Sequence, residues 1–219
     1  MTDYERLLEL MDISFRSEPF HTLNLVLDSS SNHQVPGGTC SDKSLSFQRL
    51  AKEHGFDAYL HNAFIGGEDC HRLVRVELEG LVYFADVGNG WPAVIPYPAH
   101  KSIQYTVFGM SFRSEVTSEY ISVFHNTGNG DKLMVKIPIN AKTEQEILND
   151  IAHRFSVGME YPFSGKLRFS AISGDEFIFL KDSSLRIYSS MGVHTRESLL
   201  EGEWPGIIES IFGWKIREG

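Results

Sequence analysis

The chain has 219 residues, 20 Lys plus Arg against 29 Asp plus Glu, and a formal net charge of −9. With 42% hydrophobic and 22% charged residues it is ordinary globular material, which excludes a disordered chain. The acidic balance without a basic cluster excludes a binder of nucleic-acid backbone, and no apolar run reaches the roughly 18 residues that span a bilayer. The acidic start, Met1-Thr2-Asp3-Tyr4-Glu5, lacks the basic opening of a signal peptide. Two cysteines make no disulfide framework. The expectation is a reduced, cytoplasmic enzyme with no nucleic acid and no membrane among its partners.

In chain order, Leu7, Leu8, Met11 and Phe15 recur at helical spacing over 3–16, an amphipathic helix that Pro19 ends. Residues 20–35 read as loop or a short second helix. Pro36-Gly37-Gly38 is strong punctuation, followed by Thr39 as N-cap and Asp42 in the acidic place of a capping box. A helix is predicted from Cys40 to His54, with Phe47, Leu50 and Ala51 facing the core and Gly55 closing it. The period then changes. Residues 57–65, 71–78 and 81–87 read as strands, the last two joined by the two-residue turn Glu79-Gly80. Gly88-Asn89-Gly90-Trp91-Pro92 breaks the pattern. Alternation over 103–125 and 132–139 suggests an antiparallel barrel-like sheet. A helix over 143–155 carries Ile147, Ile151 and Phe155 on one face. Short strands at 166–172, 176–180 and 184–189 precede a closing helix over about 203–212 with Trp204, Ile207, Ile208 and Ile211. The fold class is α+β: a short helical segment (1–55), a β-barrel-like middle (56–140) and an α/β lid (141–219).

The chemistry centres on Cys40. It follows a Gly-Gly-Thr turn and opens a helix, whose positive end stabilises a thiolate. If Leu78 pairs with Leu81, paired residue numbers sum to 159. His71 and Asp86 are then diagonal neighbours on one face, about 7–8 Å apart at Cα. A one-residue slip would separate them. Val74, Val76, Leu78, Leu81, Tyr83, Ala85 and Val87 mark the opposite face as the core side. Cys40, His71 and Asp86 thus form a candidate nucleophile, base and orienting carboxylate. Cys70, adjacent to His71 on a strand, should point to the other face and be structural. A zinc site from Cys40, Cys70 and His71 lacks paired-ligand spacing, so no metal is expected. Trp91, Phe108 and Phe112 read as packing residues before pocket residues.

Cys40 within Pro36-Gly37-Gly38-Thr39-Cys40-Ser41-Asp42, the strand-leading His71, and Asp86-Val87-Gly88-Asn89-Gly90 resemble the arylamine N-acetyltransferases. That family has an Arg-Gly-Gly-x-Cys-x-Glu type motif and an Asp-Val-Gly-Phe-Gly motif. Pro19-Phe20-His21-Thr22-Leu23 is similar to its Pro-Phe-Glu-Asn-Leu segment. The stretch from Pro162-Phe163 to Phe212-Gly213 resembles its C-terminal lid. Pro36 stands in place of Arg, Thr39 and Ser41 in place of common aromatics, Asp42 in place of Glu and Asn89 in place of Phe, and the segment before Cys40 is short. The resemblance implies a cysteine-proteinase-like core. It also implies a Cys-His-Asp triad that moves acetyl from acetyl-CoA, a co-substrate rather than a bound cofactor, to a small-molecule amine. The same triad also serves transglutaminase-like cysteine hydrolases, and a member with impaired catalysis would keep the fold. The sequence leaves acceptor, acyl length and oligomeric state open.

Overall fold

The fold is known from a computed structural model, which describes residues 1–27, 32–126, 128–154, 165–196, 199 and 202–217. Helix α1 (Asp3–Ser17) starts at a capping box in which Thr2 and Glu5 satisfy each other's backbone N–H. It buries Leu7, Leu10, Met11 and Phe15, so Leu10 takes a core place that periodicity gave to Leu8. The short strand β1 (Phe20–His21), the single turn α2 (Leu23–Val26) and β2 (Asn32–His33) lead to α3 (Cys40–Glu53). The Asp42 carboxylate accepts from the backbone N–H and hydroxyl of Thr39, fixing where α3 begins. Gly55, at φ +85°, closes it.

The middle of the chain is β3 (Asp57–Ile65), β4 (Glu68–Leu78), β5 (Leu81–Ala85), β6 (Tyr97–Pro98), β7 (Gln104–Val107), β8 (Met110–Val116), β9 (Tyr120–Asn126) and β10 (Lys132–Pro138). These form one antiparallel half-barrel in the order β6-β5-β4-β3-β10-β9-β8-β7. Beyond it come α4 (Glu144–Ala152), then β11 (Arg168–Ser173), β12 (Glu176–Lys181), β13 (Ser184–Ser189), β14 (Gly192–Arg196), α5 (Glu203–Phe212) and β15 (Ile216–Arg217). The architecture is α+β, as expected. Of the sequence readings, Phe155 and Pro162-Phe163 lie outside the described residues.

The differences are local. Strand β4 begins at Glu68 rather than at His71, β5 ends at Ala85 so that Asp86 lies just past it, and β14 was not anticipated. Strand β1 joins the C-terminal sheet, order β1-β11-β12-β13-β14, with Phe20 opposite Ser170. Phe20 also bridges Gly38, two residues before Cys40. The C-terminal sheet is therefore wired directly to the turn that carries the cysteine.

One core joins α1 and α3 to the inner face of the half-barrel, and a second lies between the C-terminal sheet, α2 and α5. Lys43, 1% exposed, donates from Nζ to the Ser14 and Glu18 carbonyls at the end of α1 and locks the two helices together. Burial drives its pKa down to about 7 despite the nearby Glu18 charge.

Candidate active site

The β4–β5 register follows the turn. Glu79 (φ 50°) and Gly80 (φ 77°) are both left-handed, as a two-residue hairpin turn requires, and Leu78 pairs with Leu81 and Val74 with Ala85. That pairing carries His71 and Asp86 to the same side. The His71 Nε2 donates to Asp86 Oδ1 at 2.8 Å, with both side chains closed off from solvent. The hairpin faces are less distinct than the pattern implied. On the His71 side Leu73 and Phe84 are fully buried, whereas Leu81 on the supposed core side is 40% exposed. Both faces are covered near Asp86 because α3 packs on one of them.

Cys40, on the first turn of α3, lies beside the His71 ring, close enough for the two to act on each other's protonation. Nε2 is taken by Asp86, so Nδ1 is the nitrogen left for the sulfur. Gly88 allows the approach. A Cβ at that position would lie 2.8 Å from Cys40 Cα, so only glycine lets the loop after β5 pass this close to α3. The structure thus brings Cys40 beside His71, and hydrogen-bonds His71 to Asp86.

The electrostatics of the pair are opposed and complementary. Burial pushes the Cys40 thiol up, but the His71 hydrogen bond and charge, with the Arg72 backbone N–H and charge, bring it below its ordinary value. Burial pushes His71 down, but Asp86's charge and hydrogen bond, with Cys40, raise it to about 10. The arrangement favours a thiolate–imidazolium pair.

Cys70 does not turn away as strand alternation predicts. It lines the same cleft as Cys40 and His71, and its carbonyl oxygen lies 3.8 Å from the Cys40 sulfur. The reason is a bulge: Ala63 pairs with His71 but Ile65 pairs with Glu68, so β4 holds an extra residue there and inside–outside alternation is lost. Burial leads the rise in its thiol pKa, and Cys40's charge adds to it, so it is the less reactive cysteine.

Sequence reasoning missed Asn89, His125, Lys132 and Arg168. Asn89 donates to the second Asp86 oxygen at 2.8 Å. Trp91 packs against the main core, as expected, and also forms a wall of the cleft, with its ring 4.7 Å from those of both His125 and Phe179. Phe112 does lie in the core, stacked on Tyr105, and Phe108 packs against Phe177. A mainly apolar cleft of about 290 Å³ runs over Cys40, lined by Phe20, Ile65, Met134 and Trp91 among others. Past Trp91 and His125 it opens into a space of about 850 Å³ with Lys132, Arg168, Lys181 and Arg186 on its walls, alongside Asp131 and Asp182. Among the described residues no cluster of three or more His, Cys, Asp or Glu side chains could hold a metal ion. Nor is any helix there long and apolar enough to cross a membrane.

The family model for N-acetyltransferases matches residues 23–218. An uncharacterized acetyltransferase of Acanthamoeba polyphaga mimivirus is 28% identical over 130 residues, 57% of this chain; the match spans about half of that relative, 51% of its length. Among solved structures, the arylamine N-acetyltransferase of Mycobacterium abscessus superposes with a TM-score of 0.79 at 18% identity, over 97% of this chain and 84% of that one. The arylamine N-acetyltransferase of Nocardia farcinica gives 0.78 at 21% identity, over 95% and 82%.

Proposed function

This chain belongs to the N-acetyltransferase family, and from that premise we propose that it carries an acetyl group from acetyl-CoA, through a thioester on Cys40, to a small-molecule amine. The observation that carries the reading is Cys40 beside the hydrogen-bonded His71–Asp86 pair, at the foot of an apolar cleft that widens into a cation-lined one.

The Cys40 thiolate attacks the thioester carbonyl. The developing oxyanion forms beside the first turn of α3, where backbone N–H groups lack helical partners. The sulfur–carbonyl bond to CoA breaks, and the departing thiolate takes the proton from the His71 imidazolium. The acceptor amine then attacks the acetyl-Cys40 carbonyl while the now neutral His71 takes its proton. Expulsion of the Cys40 thiolate restores the ion pair. Asp86 keeps Nε2 protonated, which leaves Nδ1 to face the sulfur and stabilises the imidazolium.

The outer cleft supports the donor assignment: Lys132, Arg168, Lys181 and Arg186 offer cations to phosphate groups, and Trp91 offers a stacking face. The apolar lining over Cys40 supports transfer over hydrolysis, because it limits water around the acyl-enzyme. Both cysteines are free, which is compatible with the reducing cytoplasm.

Intact-mass spectrometry after brief exposure to acetyl-CoA tests the proposal. One acetyl adduct that maps to Cys40, disappears in Cys40→Ala and is discharged by an added aromatic amine or hydrazine is expected. No adduct from any acyl thioester, but one from a peptide or glutamine amide, would replace the transferase by a cysteine hydrolase.

A further inference from the structure

Asp86 is completely buried, and a carboxylate has two oxygens to satisfy. His71 takes Oδ1 at 2.8 Å, and the Asn89 side-chain N–H₂ donates to Oδ2, also at 2.8 Å. The other end of the same amide is engaged as well: Asn89 Oδ1 accepts the Trp91 backbone N–H at 2.6 Å. These two bonds fix the orientation of the amide. Reversed, it would set its oxygen against a carboxylate and its N–H₂ against an N–H.

We propose that Asn89 is a positioning residue, which acts on Cys40 through Asp86 and His71 and ties that series to the Trp91 wall of the cleft. The inference rests on the triad reading above. A carboxylate gripped at one oxygen can rotate about its last torsion, whereas one gripped at both cannot. A fixed Asp86 holds the imidazole with Nδ1 toward the sulfur, and a charge-assisted bond to Oδ2 stabilises the carboxylate that the imidazolium needs. The same amide sets the turn that places Trp91 between His125 and Phe179. This chain therefore uses a polar side chain where the family it resembles carries Phe, and couples the thiolate to the Trp91 wall through three residues, His71, Asp86 and Asn89.

The test is the pH dependence of Cys40 alkylation by iodoacetamide, with the rate of acetyl-Cys40 formation from acetyl-CoA, in the wild type, Asn89→Ala and Asn89→Gln. Alanine removes both bonds; glutamine keeps the amide. In Asn89→Ala the alkylation midpoint should rise by about one pH unit. Its acylation should slow ~10–100-fold, as losses of orienting partners do. Asn89→Gln should recover most of both. Thermal melts check that the variants fold, and Asn89→Gln carries the comparison if alanine does not. Variants that melt lower yet keep the wild-type midpoint and acylation rate would reduce Asn89 to a turn-forming residue. A wild-type midpoint at the ordinary thiol value would remove the triad itself, and the Asn89 role with it, so the two failures are told apart by the wild type alone.

Discussion

Two histidines lie on the same face of the half-barrel, on neighbouring strands, and behave in opposite ways. His61 on β3 pairs with Leu73, and His71 on β4 pairs with Ala63, so the two are diagonal neighbours. Their burial is equal, 0% and 1% exposed. Each donates from Nε2, His61 to the Pro138 carbonyl at 2.7 Å and His71 to Asp86 at 2.8 Å. Burial takes His61 down to about 4 against the opposing pull of the Pro138 bond, with a lesser push from the Arg75 charge, and its Nδ1 has no partner. Asp86 and Cys40 take His71 up to about 10. The same desolvation thus acts on both rings, and the charge of the partner decides the outcome. A neutral carbonyl makes a packing residue, stacked edge-on against Phe84 at 4.7 Å. A carboxylate partner and a neighbouring thiol favour the charged ring.

The largest effect should come from making the two environments alike. Asp86→Asn gives His71 a neutral partner like that of His61. Turnover should fall ~10³–10⁴-fold, since the amide also favours the wrong tautomer. The alkylation midpoint of Cys40 should climb toward the free-thiol value of about 8.5. Steady-state kinetics and alkylation profiles check this. Unchanged kinetics would mean that Asp86 only caps the strand.

The next effect is on stability and belongs to His61. Its folded pKa lies below its unfolded value, so the unfolded chain binds the extra proton between about 4 and 6.5. Its contribution is fully present above pH 6.5 and is lost as pH falls through the folded value. The loss should reach about 3 kcal/mol. His61→Phe keeps a ring in place but strands the Pro138 carbonyl. It should cost about 1–2 kcal/mol at neutral pH and flatten the acid limb of denaturant-derived stability. An acid limb as steep as that of the wild type would assign it to other groups.

The smallest effect asks whether the charges that set His71 apart are local. Lys132→Gln or Arg168→Gln in the outer cleft should raise KM for acetyl-CoA ~10-fold and leave the Cys40 alkylation profile in place. A shifted profile would show that the outer cations also hold the thiolate.

Much of the site was legible because it is built from short-range signals. Thr39 and Asp42 fix the start of α3, Glu79-Gly80 fixes the hairpin register, and the register puts His71 and Asp86 together. Cys70 was misread because a single extra residue in β4 breaks an alternation that pattern reading must assume. Asn89 was noted only as a departure from a motif, since the loop that holds it has no period from which a contact could be read.

The sequence by itself determined the caps, the helices, the central hairpin and the three residues of the candidate triad, because each depends on neighbours a few positions away or on one two-residue turn. Only the tertiary structure decided that β1 pairs with β11 across the length of the chain. It alone set Trp91 between His125 and Phe179, and gathered Lys132 and Arg168 at the mouth of the cleft. Those contacts join distant segments whose local patterns are compatible with many partners. The choice among them is made by which packing buries both cores while giving a costly buried group such as the second oxygen of Asp86 a donor.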